Sequence, residues 1–134
     1  MISHIVKTTR VEMMHFDAEI DNHHLLMDDG EKSIGPSPKR LMLAALGGCT
    51  GMDVVSILNK MKISFSHFSV EAEATLKEQY PKIYEKVLLT YRIKLDSKNH
   101  AKMEKAIKLS QDKYCSVSAM FKAFATLSTQ IEYL

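Results

Sequence analysis

Cysteine is scarce in this chain of 134 residues: two thiols, Cys49 and Cys115, stand 66 positions apart. That separation is not a zinc-site spacing, and a reducing cytosol disfavours a permanent structural disulfide, so thiol chemistry is the more interesting use for the pair. An excess of charge of either sign is also lacking. Eighteen Lys and Arg against 16 Asp and Glu leave a net charge of +2, and no dense basic tract alternates with aromatics, which argues against nucleic acid as a partner. No signal-peptide or lipidation pattern is present, and the longest uncharged run, Leu41 to Met52, falls short of the roughly 20 residues that cross a bilayer. No membrane association is expected, and the cytoplasm is the default compartment. The histidines look like a metal resource, but His4, His15, His67 and His100 are scattered, and His23 and His24 are adjacent in an expected strand and point to opposite faces. Neither a metal nor a cofactor is expected. Without repeats, low-complexity segments or a linker, residues 1–134 read as a single domain.

Glycine is sparse too, yet three of its five occurrences, Gly47, Gly48 and Gly51, fall within one stretch, Ser37 to Met61. Ser37-Pro38, after the chain-turning Gly35-Pro36, supplies an N-cap and a proline that a first helical turn tolerates. The uncharged run that follows reads as a helix buried in a soluble core. Each interior glycine costs about 1 kcal/mol against alanine, so something must offset the loss. Ala44, Gly47, Gly48, Gly51 and Val55 recur at helical spacing and form a smooth stripe where another backbone can approach. A helix of 25 residues is hard to cover on every side in so small a chain, which favours an oligomer. Cys49 lies at the edge of the stripe. It is either a thiol at a crowded junction of elements or a small buried residue packing as an ordinary hydrophobe.

Before that helix, Ile2 to Thr9 and Glu12 to Ile20 read as strands around a turn near Arg10. Asp21-Asn22 marks a second turn and His23 to Met27 a third strand. After it, Phe68, Val70, Ala72, Ala74 and Leu76 alternate with polar residues, as do Ile83, Val87, Leu89, Tyr91, Ile93 and Leu95. Together they predict a long antiparallel hairpin with Lys86, Thr90, Arg92 and Lys94 on its wet face. Asp96-Ser97 caps a helix expected over Lys98 to Asp112, with Met103, Ala106, Ile107 and Ser110 inward. A short helix over Val117 to Ala123 and a strand over Thr126 to Tyr133 complete the chain. If Cys115 or Ser116 caps the short helix, the helix dipole favours a thiolate at Cys115.

The motifs Gly35-Pro36-Ser37-Pro38, Leu43-Ala44-Ala45-Leu46-Gly47-Gly48-Cys49-Thr50-Gly51-Met52-Asp53-Val54 and Lys113-Tyr114-Cys115-Ser116-Val117-Ser118 resemble those of the OsmC/Ohr family, the osmotically inducible and organic hydroperoxide resistance proteins. The wording is nearest to the OsmC-like branch. The resemblance spans nearly the whole chain and implies an α+β fold: an intertwined homodimer with antiparallel sheets wrapped around long central helices, and active sites at the subunit interface. It also implies a peroxidatic Cys49 that attacks an organic hydroperoxide and becomes a sulfenate, then condenses with a resolving Cys115 to a disulfide. A dithiol reductant, lipoyl-linked in relatives, would reset the site.

In the hydroperoxidases an arginine from the amino-terminal strand region assists the thiolate, held by a glutamate ten residues before the first cysteine. Arg10 is the positional candidate for that arginine here, but Lys39 stands where the glutamate would be, and Lys39 or Arg40 could supply charge instead. Asp53, one helical turn beyond Cys49, would raise the thiol's pKa if it points into the same site. Met42, Leu46, Met52, Met120 and Phe121 neighbour the thiols in sequence, as a pocket for a bulky peroxide or as plain core. The leading reading is a thiol peroxidase acting on organic hydroperoxides. The alternative is a dimer that binds small molecules or senses redox state without turnover. A weaker third is acyl-transfer or hydrolytic chemistry at Cys49 with a histidine base such as His67.

Overall fold

The structure, a computed structural model, describes residues 2–30 and 32–134. The chain forms two compact units, Met1–Leu43 and Ala44–Leu134. The first carries a meander of three antiparallel strands, β1 (Lys7–Glu12), β2 (His15–Ile20) and β3 (His23–Met27), in the order β1-β2-β3. Asp21 and Asn22 close the second hairpin in the left-handed region, at φ +47° and +67°, where their short polar side chains are tolerated. The first turn falls at Met13-Met14 and not at Arg10. Arg10 lies within β1, opposite Phe16, and its Nε donates to the Met13 carbonyl at 2.8 Å. The arginine therefore fastens the turn from the strand. In the following loop the Asp28 carboxylate accepts from the Gly30 and Ile34 backbone N–H groups at 2.8 and 3.3 Å. A Cβ at Gly35 would stand 2.9 Å from the Leu26 carbonyl oxygen, so only glycine fits at the entrance to the helix.

Helix α1 (Pro38–Lys60) crosses from the first unit into the second. By length and composition alone it could cross a membrane, a possibility the shorter uncharged run in the sequence understates. One of its faces instead belongs to a protein core: Leu46, Val54 and Leu58 are fully buried. The other face is apolar and open. Ala44, Ala45 and Gly48 are exposed, and Met52 is 75% exposed.

In the second unit β4 (Ser66–Leu76) and β5 (Tyr84–Lys94) form the expected antiparallel hairpin. Val87, Leu89, Tyr91 and Ile93 of β5 are buried on one face. The third strand, β6 (Thr126–Tyr133), pairs with β5 in parallel, Val87 opposite Leu127 and Tyr91 opposite Ile131. The sheets are therefore not uniformly antiparallel. The chain leaves β5, crosses through two helices and returns in the same direction, as a parallel neighbour requires. Thr90, expected on the wet face, is buried, because Gln130 of the added strand covers it and donates to its hydroxyl at 2.9 Å.

The crossover begins with a 3₁₀ turn at Ser97–Asn99, where the Asp96 side chain accepts from the Lys98 N–H. Helix α2 (His100–Leu109) buries Met103, Ala106 and Ile107. The sequence suggests one helix to Asp112. The chain instead widens into a π turn at Ser110–Tyr114, after which α3 (Ser116–Lys122) starts. Phe121 of α3 is buried and stacks against Tyr84.

The smooth stripe of α1 divides. A Cβ at Gly51 would meet Val70 at 3.4 Å, and one at Gly47 the Val70 carbonyl oxygen at 3.8 Å, both ordinary contacts with β4. A Cβ at Gly48 would meet nothing within 4 Å. Close backbone approach within the chain therefore does not account for these glycines.

Candidate functional site

Cys49 is carried by the middle of α1, and Cys115 ends the π turn and caps α3. Turn geometry sets the second thiol. The Cys115 N–H donates back to the Ser110 carbonyl at 2.8 Å, its backbone turns extended at φ −77° and ψ 100°, and its Sγ accepts from the Ser118 N–H at 3.3 Å. Asp53 follows Cys49 by four residues, so it shares that helix face. The two sulfur atoms and a carboxylate oxygen of Asp53 all lie within 4.8 Å of one another. Both cysteines are free thiols, Cys49 half-buried and Cys115 buried.

Burial pushes the Cys49 thiol above its ordinary pKa, and the neighbouring Cys115 and the negative charge of Asp53 push the same way. A hydrogen bond from the Val117 backbone opposes them. Cys49 is thus a protonated thiol at neutral pH, close to a second thiol and an acid.

Behind the sulfurs runs a buried chain of hydroxyls from three elements. Tyr91 Oη is 2.7 Å from Thr50 Oγ1, which is 2.8 Å from Ser110 Oγ, which donates to Asp53 Oδ2 at 2.9 Å. The terminal acceptor fixes the direction of the rest. Ser110 spends its one proton on the carboxylate, so Thr50 donates to Ser110 and Tyr91 donates to Thr50. Gln111 Nε2 braces the chain, its two N–H groups shared among Thr50, Tyr91 and Ser118 at 3.2, 3.2 and 3.0 Å. Thr50, Ser110 and Ser118 are wholly buried, and burial also raises the Tyr91 phenol's pKa. Asp53 also lines a cleft of about 450 Å³, shared with Ile57, Lys60, Leu109 and Tyr114.

Of the residues singled out in the sequence, Cys49 and Cys115 meet, and Asp53 joins them. Arg10 belongs to the first unit and is exposed, as is Arg40, whose guanidinium donates to Ser37 Oγ at 3.2 Å. His67 is exposed on β4, its ring 3.1 Å from Ser66 Oγ. The suggested apolar pocket separates: Leu46 and Phe121 are core, while Met42, Met52 and Met120 are 47%, 75% and 65% exposed. Sequence reasoning overlooked Thr50, Tyr91, Gln111 and Ser118. The available signal was polarity out of place, since Ser110 and Tyr91 carry hydroxyls on faces otherwise made of Met103, Ala106 and Ile107, or of Val87, Leu89 and Ile93.

The family model for OsmC-like protein matches residues 29–130. Protein YhfA of Escherichia coli (strain K12) is 31% identical over 110 residues, covering 82% of each chain. Among solved structures, a hypothetical protein from Aquifex aeolicus VF5 superposes with a TM-score of 0.83 at 27% identity, over 100% of this chain and 99% of the other. An organic hydroperoxide resistance protein OsmC from Legionella pneumophila superposes with a TM-score of 0.68 at 16% identity, over 98% and 97%. With its mixed α+β fold of two small sheets and three helices, and its two neighbouring cysteines, the chain belongs to the OsmC-like family.

Proposed function

We propose that this protein reduces organic hydroperoxides through the Cys49 and Cys115 thiols. The observation that carries the reading is the approach of the two sulfurs to within 4.8 Å from elements far apart in sequence. The Cys49 thiolate attacks the terminal peroxide oxygen, the O–O bond breaks, and a proton completes the leaving alcohol. The resulting Cys49 sulfenic acid condenses with Cys115, forming the S–S bond and releasing water. An external dithiol, lipoyl-linked in relatives, returns both thiols. Because Cys49 is protonated at rest, the reading requires a cation beside the bound peroxide, and Arg10 is the residue proposed for it, with Lys39 or Arg40 as substitutes.

The working form in this reading is a homodimer in the cytoplasm, supported by the exposed apolar face of α1, where Gly48 leaves room for an approaching surface. The direct test mixes reduced protein with an alkyl hydroperoxide and follows peroxide loss and intact mass. Stoichiometric consumption with loss of two hydrogens and a Cys49–Cys115 disulfide is expected; neither consumption nor disulfide overturns the proposal.

The Asp53 carboxylate beside the first thiol favours a second reading, a dimer that senses redox state or binds small molecules without turnover. There the disulfide forms once with oxidant, catalytic cycling with a dithiol is absent, and Cys49→Ser leaves dimerisation and ligand binding intact.

A further inference from the structure

We propose that the reduced side chains of Cys49, Cys115 and Asp53 form a zinc-binding site, with two thiolates and one carboxylate as ligands and water in the fourth position. The inference concerns the thiols of the redox reading and rests only on their being reduced, not on peroxide turnover. Tetrahedral zinc with Zn–S near 2.3 Å and Zn–O near 2.0 Å places its sulfurs about 3.8 Å apart and each sulfur about 3.5 Å from the oxygen. All three donor atoms already lie within 4.8 Å of one another, so small side-chain rotations complete the set. Thiolate donors select soft and borderline ions, and a three-ligand site with an open position suits zinc.

The surroundings are those of a supported site. Ser110 donates to Asp53 and is itself held by Thr50, so the carboxylate is oriented before a metal arrives. The Cys115 sulfur accepts a backbone N–H from Ser118 at 3.3 Å, which fixes its orientation. A cleft of about 450 Å³ borders Asp53, the one of the three ligands that lines it, and gives an approach to the carboxylate. Electrostatics point the same way. Once both thiols give up their protons, two thiolates and a carboxylate within 4.8 Å carry −3, which a dication reduces to −1. Binding forms two Zn–S bonds, breaks two S–H bonds and sends two protons to solvent, with no change of oxidation state.

The test uses reduced, chelator-stripped full-length protein in peroxide-free buffer, titrated with ZnCl₂ against a chromophoric zinc indicator. One zinc per chain should leave the indicator, with two protons released per metal bound. Cys49→Ser should abolish the competition and Asp53→Asn should weaken it by at least about tenfold. CoCl₂ added to the unsubstituted protein should give sulfur-to-cobalt charge-transfer absorption and tetrahedral visible bands, a readout independent of whether a variant folds. Zinc that stays with the indicator, a Cys49→Ser or Asp53→Asn variant that binds like the parent, or a cobalt spectrum without sulfur charge transfer overturns the site. Zinc binding without peroxide consumption removes the peroxide reading alone, and consumption without zinc binding removes the metal site alone.

Discussion

Asp53 sets a negative charge within 4.8 Å of the Cys49 sulfur, where a thiol peroxidase gains from a positive one, and its effect can be isolated. Burial is the larger cause of the raised Cys49 pKa, with the Asp53 charge adding to it. In metal-free reduced protein, Asp53→Asn should therefore lower the pKa part of the way towards that of a free cysteine. The pH profile of Cys49 alkylation, followed by mass spectrometry in Cys115→Ser, should move to lower pH; an unmoved profile would show that burial alone sets it. The stability sign follows from the same shift. The folded state holds the Cys49 proton to higher pH than the unfolded chain does, so stability falls as pH rises past the ordinary thiol range. Tyr91 offers a second handle. Tyr91→Phe removes the first donor of the hydroxyl chain and leaves Gln111 as the remaining donor to buried Thr50, which should cost about 1 kcal/mol in urea unfolding of the reduced protein.

At the scale of elements, the π turn places the second thiol. Five residues, Ser110–Tyr114, accommodate one more than an α-helical turn would, so Ser110 stays on the buried face while Cys115 is brought to Cys49. Deleting exposed Asp112 should restore α-helical spacing and swing Cys115 by about 100° about the helix axis. The variant should keep its far-UV circular dichroism but fail to form an intramolecular disulfide with diamide; closure at the parental rate would show that the turn is not the positioning device. The open face of α1 is a separable element. Gly48→Ala should favour the isolated helix by about 1 kcal/mol, yet it adds a methyl to the proposed contact. Light scattering should therefore find twice the 15.2 kDa chain mass for the parent and a larger monomer fraction for Gly48→Ala and for Met52→Lys. Equal dimerisation of all three would place any interface elsewhere.

Much at this scale was legible, because β3, β6 and α1 announce themselves by local pattern: His23–Met27 and Thr126–Tyr133 match their expected bounds, and α1 differs by one residue at each end. The π turn was not legible, since widening a helix by one residue leaves no compositional trace in Ser110–Tyr114.

For the molecule as a whole, pairing direction and spatial neighbours were the hidden quantities. Nothing in Thr126 to Tyr133 says that the strand lies parallel to β5, and it is that placement which buries Thr90 beneath Gln130. The cysteine pair was foreseeable only as two motifs, and the hydroxyls behind it only as misplaced polarity, because Thr50, Tyr91 and Ser110 meet across separations that periodicity does not span. Those separations have a thermodynamic side. Joining Cys49 to Cys115 would enclose β4, β5 and α2 in a covalent ring of some 66 residues, restricting the unfolded chain by an amount worth about 4 kcal/mol. A calorimetric scan of the diamide-treated protein should show a higher transition than the same sample after a dithiol, and Cys115→Ser should erase the difference. The melting temperature would then serve as a gauge of the sulfur oxidation state, readable without substrate, cofactor or chromophore.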